Sequence, residues 1–209
     1  MEISLIQNIV YIFSSILFIT GIKMLGKEDT AVKGNFLSAI AMLVAVLVTF
    51  INISNPLILL AGIGLGAFIG SLIALKVKMT SIPEMVALFN GFGGLATFLI
   101  AWSEFNSTPD NLFQYILVMT TVYVGGITFT GSLVAYAKLS EKIQIAKTSI
   151  ITKLFTTIFY ISLAFLLYSA IVTPLLVTNF EFFTVLLVLT LLGGIGFVLP
   201  IGGGDMQVV

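Results

Sequence analysis

In a chain of 209 residues with no His, no Cys and no Arg, chemistry can rest only on amides, hydroxyls, carboxylates and lysines. Asn90, Gly94 and Thr97 recur at i, i+4 and i+7, which puts them on one face of a helix. Thr121, Gly125, Thr128 and Ser132 fall at i, i+4, i+7 and i+11, again on one face. An Asn amide donates and accepts at once, as a water-mediated proton wire requires. The competing role is interhelical glue, roughly 0.5–2 kcal/mol per polar contact between helices. Thr has a further option, because it bonds its own helix carbonyls. Glu84 and Lys138 stand at the ends of apolar runs, where a charge snorkels to water. Asp205 follows Gly202, Gly203 and Gly204 near the end of the chain. No Asp, Glu, Lys or His lies deep in an apolar run, so the chain by itself lacks the titrating group of a self-contained pump.

The elements that must position these residues follow from composition. Hydrophobic residues make up 59% of the chain and charged ones 9%, against about 25% charged in soluble domains. With a mean hydropathy of +1.19, such a chain cannot cover a water-facing surface, which excludes a soluble enzyme. A net charge of zero without Arg excludes a nucleic-acid-binding face. The absence of Cys and His removes disulfides and ordinary zinc or haem sites. The expectation is an all-α polytopic transmembrane bundle in a lipid bilayer. Spans of about 20 residues are read at 3–22, 36–53, 57–75, 84–102, 112–137, 154–174 and 182–200, seven in one transmembrane domain covering 1–209. Glu2, the lack of a basic leader and the length of the first run argue against a cleavable signal peptide.

Charge placement orients the spans. Lys23, Lys27 and Lys33 follow the first span, Lys76 and Lys78 the third, and Lys138, Lys142, Lys147 and Lys153 the fifth. The alternate connections carry only acids: Glu2, Glu104, Asp110 and Glu181. By the positive-inside bias, the N-terminus is outside and the C-terminus cytoplasmic. Ser81-Ile82-Pro83-Glu84 reads as a capping box that starts the fourth span, and Pro56 starts the third. Pro174 and Asn179 mark the turn between the last two spans, and Pro200 with Gly202–Gly204 stops the seventh.

Glycines form a second pattern. Gly62, Gly66 and Gly70 recur every four residues with Ala74, a stripe that lets helices approach closely. Gly94 and Gly125 sit among the polar faces and are read as packing positions too. Gly62-Ile63-Gly64-Leu65-Gly66-Ala67 fits a dinucleotide fingerprint, with Glu84 about 20 residues on. That fingerprint needs a strand, a turn and a helix at a water-accessible crevice; these glycines lie inside a span, so it is rejected. Gly91-Phe92-Gly93-Gly94-Leu95-Ala96 is rejected on the same ground. No internal repeat of the kind found in transporters is evident.

Three separated stretches carry a resemblance. They are Val77-Lys78-Met79-Thr80-Ser81-Ile82-Pro83-Glu84-Met85-Val86-Ala87-Leu88-Phe89-Asn90-Gly91, Thr128-Phe129-Thr130-Gly131-Ser132-Leu133-Val134-Ala135-Tyr136-Ala137-Lys138-Leu139, and Leu199-Pro200-Ile201-Gly202-Gly203-Gly204-Asp205-Met206. Together, and in this order, they resemble the membrane domain of the beta subunit of proton-translocating NAD(P) transhydrogenases. The resemblance implies an oxidoreductase and translocase that couples hydride transfer between NADH and NADP to proton movement across the inner cell membrane. It implies that soluble domains bind NAD and NADP, while this stretch holds no catalytic, cofactor-binding or metal-ligating residue.

The same resemblance places Asn90 on the proton path, at a position that is His or Asn in the family. Where it is Asn, a His of the companion subunit is thought to titrate. Ser132 lies by the path, Asp205 at its cytoplasmic mouth against the NADP(H)-binding domain, and Glu84 matches a family acid at the start of its helix. An alpha subunit partner and a homodimer of the assembly are implied as well. The family usually has Pro where this chain has Gln207, and it continues with two more helices and the NADP(H)-binding domain. The chain therefore reads as an N-terminal fragment that stops in the first turn of an eighth helix. On residue types alone, a small-solute transporter or channel subunit, or a purely structural subunit, remains open.

Overall fold

A computed structural model describes residues 3–53, 56–106, 112–143, 149–172 and 180–201. Seven α-helices run through them: α1 (Ile3–Leu25), α2 (Ala31–Thr49), α3 (Pro56–Lys76), α4 (Ile82–Asn106), α5 (Leu112–Leu139), α6 (Ile150–Val172) and α7 (Phe180–Val198). Short 3-10 turns at Glu28–Thr30, Phe50–Asn52 and Met79–Ser81 join or extend them. Runs of Ile, Leu, Val and Phe without charge favour helix here because hydrocarbon leaves each backbone N–H to be bonded within its own segment. The first six are long and apolar enough to cross a membrane. The 19 residues of α7 reach about 28 Å, close to the hydrocarbon thickness.

The helices overrun the charge-free runs that announce them. The second begins at Ala31 and takes Lys33 into its first turn, α6 begins at Ile150 and includes Lys153, and α4 continues past Glu104 to Asn106. Hydrocarbon excludes charge but does not end a helix, and a helix that runs on past the hydrocarbon carries its charges cheaply in the polar interface. At the other end of α2, the run to residue 53 finishes as the 3-10 turn Phe50–Asn52. Pro56 opens α3, where its missing N–H costs nothing. The start of α4 directly follows Ser81, but through the 3-10 turn, in which the Ser81 N–H donates to the Lys78 carbonyl at 2.9 Å. Among the described residues no side-chain bond joins Ser81 to Glu84, so the capping-box sequence marks the boundary without making its reciprocal bonds. The proposed turn at Pro174 and Asn179, the glycines 202–204 and the start of an eighth helix at 205–209 lie outside the described residues.

The described helices fall into two compact units, Met1–Leu75 and Lys76–Val209. In the first, α1 and α2 pack as a hairpin. Near its turn Gly21 and Gly34 face each other, and a Cβ on Gly34 would stand 2.6 Å from the Gly21 carbonyl. Toward the other end Gln7 Nε2 donates to the Val48 carbonyl at 3.1 Å, and Tyr11 Oη meets Thr49 Oγ1 at 2.9 Å. The Thr49 hydroxyl hydrogen goes to the Ala45 carbonyl, so the tyrosine is the donor.

The stripe on α3 behaves differently. A Cβ added to Gly62, Gly64, Gly66 or Gly70 would meet nothing within 4 Å. Gly66→Ala is therefore expected to leave thermal unfolding of the detergent-solubilised chain unchanged or slightly raised, by up to about 0.5–1 kcal/mol of helix propensity. A clear loss of stability there would reveal a neighbour on that face.

In the second unit α4 packs on α5, α5 on α7, and α7 on α6. Its core joins Phe98 and Phe105 of α4, Met119 and Val122 of α5, and Phe183 and Leu186 of α7. The Phe105 and Phe183 rings stack 3.7 Å apart at an angle of 2°. The layer order follows from where side chains are smallest, which is the geometry that carries the site.

Candidate functional site

The crossing of α4 and α5 is built on glycine. A Cβ on Gly94 would stand 2.7 Å from the Phe129 backbone nitrogen, and one on Gly125 would stand 2.7 Å from that of Phe98. One on Gly91 would lie 3.1 Å from the Ser132 Cβ. Small residues on both helices thus bring the two backbones close enough for short polar side chains to touch. There Asn90 Nδ2 donates to Ser132 Oγ at 2.9 Å. The two residues are 42 positions apart, and each had been singled out on its own helix.

The bond leaves capacity at both ends. The Asn90 carbonyl oxygen and second amide hydrogen remain, and the Ser132 hydroxyl keeps its own hydrogen. Ser132 is 7% exposed, whereas Asn90 lies open toward the outer face of α4. The pair is therefore hydrogen-bonded with one buried end, Ser132, and one exposed end, Asn90. It holds no group that titrates near neutral pH.

The threonines of these faces do less. Thr97 donates to the Gly93 carbonyl at 3.0 Å, and Thr121 to Leu117 at 2.6 Å, each within its own helix. Thr128 presents its Cβ and methyl to Gly94. Glu84 stands in the first turn of α4, half-buried. Asp205 lies outside the described residues.

Two further clusters lie on the other side of α5. Tyr123 Oη and Ser162 Oγ are 3.3 Å apart, and Ser162 gives its hydrogen to the Phe159 carbonyl, so the phenol donates. Lys138 is 8% exposed, and its ammonium donates to the carbonyls of Val198, Leu199 and Ile201 at 3.2, 2.5 and 2.7 Å. It is not a snorkelling residue, which is how its place at the end of a span would be read. On α7, Gly193, Gly194 and Gly196 receive Ser162, Ile127 with Thr130, and Phe155 respectively.

Against known proteins, the family model described as NAD(P) transhydrogenase beta subunit matches residues 7–209. The chain belongs to the NAD(P) transhydrogenase beta subunit family. It is similar to two Rhodospirillum rubrum sequences, each named NAD(P) transhydrogenase subunit beta, with 30% identity over 140 residues in both cases. The match covers 62% of this chain and 30% of the length of each relative.

As a member of the transhydrogenase beta-subunit family, the chain contains glycine-rich motifs that invite a nucleotide-binding reading. The fingerprint-like Gly62–Ala67 lies in the middle of α3 and Gly91–Ala96 in α4. Inside a helix the backbone N–H groups are spent on the helix itself, so neither segment fits a pyrophosphate. What sequence reasoning missed was the far side of α5. The Gly193-Gly194-Ile195-Gly196 run was visible as small residues in an uncharged span. Nothing in the sequence signals that Lys138 points inward, because the acceptors at Val198, Leu199 and Ile201 are main-chain carbonyls.

Proposed function

We propose that this chain is the proton-conducting membrane part of an NAD(P) transhydrogenase, which couples hydride transfer between NADH and NADP to proton movement. The observation that carries the reading is the Asn90–Ser132 hydrogen bond at the glycine-built crossing of α4 and α5. In this reading Asn90 and Ser132 hold water in line and pass a proton along it by exchanging donors and acceptors. Because the chain has no His, the titrating group comes from another polypeptide, the alpha subunit being the natural source. Both compact units form one membrane domain, and the assembly is a homodimer. NADP and NAD bind to soluble parts of the complete enzyme, and no step of their chemistry falls to the residues of this chain.

The lysines support an orientation with the N-terminus outside and the C-terminus cytoplasmic, in the inner cell membrane. Asp205 then lies at the cytoplasmic mouth of the path, facing the NADP(H)-binding domain of the longer chain, and Glu84 at the same level. Asn90→Ala and Ser132→Ala test this in the full-length complex in proteoliposomes. Each is expected to lower coupled proton flux by about tenfold or more, equivalent to roughly 1.4 kcal/mol on the barrier. Proton flux at the level of the unmodified complex in both variants would sink the assignment.

A further inference from the structure

Helix α5 touches different partners through neighbouring residues. Ser132 meets Asn90 of α4, while a Cβ on Gly131 would lie 3.3 Å from the Gly194 carbonyl of α7. About 9 Å further along α5, at 1.5 Å per residue, the Lys138 ammonium grips the end of α7 through the Val198, Leu199 and Ile201 carbonyls. Those carbonyls belong to the last turn of α7 and the residues just beyond it, where the helix dipole is negative, and the Val198 carbonyl also accepts the Ile201 N–H at 3.1 Å. A charged donor suits that place, and its burial shields the contact from water and salt.

We propose that Lys138 is a positioning residue: it clasps the end of α7 to α5, and so fixes the height at which Ser132 presents itself to Asn90. Displacement of the end of α7 therefore reaches Ser132 through the clasp. This second function rests on the proton-path reading above, whereas the clasp itself does not. Releasing the three carbonyls lets α5 slide along the glycine groove of α7, and a slide of about 2 Å across the 2.9 Å hydrogen bond lengthens it to about 3.5 Å, the edge of its range.

The test uses the full-length complex in vesicles, with Lys138→Met, Lys138→Gln and Lys138→Arg in a cysteine-free background. Leu199→Cys reports on the clasp: its side chain is 3% exposed, and its backbone carbonyl, which bonds Lys138, is kept. Labelling of that cysteine by a water-soluble maleimide is expected to quicken at least about fivefold in the Met and Gln variants, and to stay within about twofold with Arg. Protons moved per hydride transferred are expected to fall at least about threefold in Met and Gln and to recover in Arg, while nucleotide binding is retained. Unchanged labelling in Met and Gln overturns the clasp, whatever the flux does. Faster labelling with an unchanged proton-to-hydride ratio overturns the coupling role alone, and faster labelling with no proton movement even in the unmodified complex overturns the proton-path reading instead. Failure of all three variants to accumulate in the membrane overturns the assignment too, since it makes Lys138 a folding residue.

Discussion

Gly196→Ala is expected to destabilise the chain by about 1–3 kcal/mol, the range for overpacking a filled site. The new methyl would coincide with the Phe155 carbonyl oxygen and come within 3.0 Å of the Thr156 nitrogen. Both are backbone atoms of α6, so neither can swing aside, and α6 must lift off α7 as a body. The Thr156 hydroxyl bond to the Gly196 carbonyl, 3.3 Å long, goes with it. Helix propensity works the other way by about 0.5–1 kcal/mol, too little to reverse the sign. Thermal unfolding in detergent measures the difference, with Gly66→Ala as the companion because its added methyl meets open space. Equal behaviour of the two alanines would show that α6 and α7 do not approach as described.

The second large effect falls on transport. Gly94→Ala and Gly125→Ala each put a methyl 2.7 Å from a backbone nitrogen of the facing helix, Phe129 in one case and Phe98 in the other. Restoring ordinary contact needs α4 and α5 to part by several tenths of an ångström or more. The Asn90–Ser132 bond has no slack for that, since both side chains are short and their backbones set the distance. Proton flux in the full-length complex is expected to fall about tenfold, a barrier change of roughly 1.4 kcal/mol. Gly93→Ala, one residue along α4 with nothing within 4 Å of its new methyl, is expected to keep flux within about twofold of the unmodified complex. If Gly93→Ala and Gly94→Ala lose flux alike, the helix crossing is not what holds the pair.

The same contrast explains what could be read from residues alone. The helices are legible because hydrocarbon demands uncharged stretches of a fixed length, and seven such stretches stand out. Their ends are less so: Lys33, Lys153 and Glu104 belong to helices although they interrupt the apolar runs. Helical periodicity put Asn90 on one face and Ser132 on another, but no local pattern says that these faces meet. That depends on the register between α4 and α5, which glycine positions and side-chain shape set in three dimensions. Gly62, Gly66 and Gly70 make the most regular stripe in the sequence, yet it is less conspicuous glycines, Gly94 and Gly125 among them, that press against a neighbouring backbone. Lys138 was the hardest to read, because the acceptors that Val198, Leu199 and Ile201 offer it are main-chain carbonyls, which no residue type announces.

The grip of Lys138 on α7 also sets an order of events during synthesis. Its carbonyl partners are 60, 61 and 63 residues further along the chain. At about 5–20 residues per second, they leave the ribosome roughly 3–12 seconds later. Until then α5 carries a cation that has none of those carbonyls, together with a glycine flank at Gly126 and Gly131 that has no helix to receive it. The α1–α2 hairpin closes over a shorter stretch, since Gln7 and Val48 are 41 residues apart, roughly 2–8 seconds at the same rate. The end of α5 must wait at the water interface, where an ammonium is cheaply solvated, and it is drawn into place only when α7 arrives. The last of the described helices is in this sense the keystone of the second unit, and the membrane insertion machinery has to keep α5 available for it.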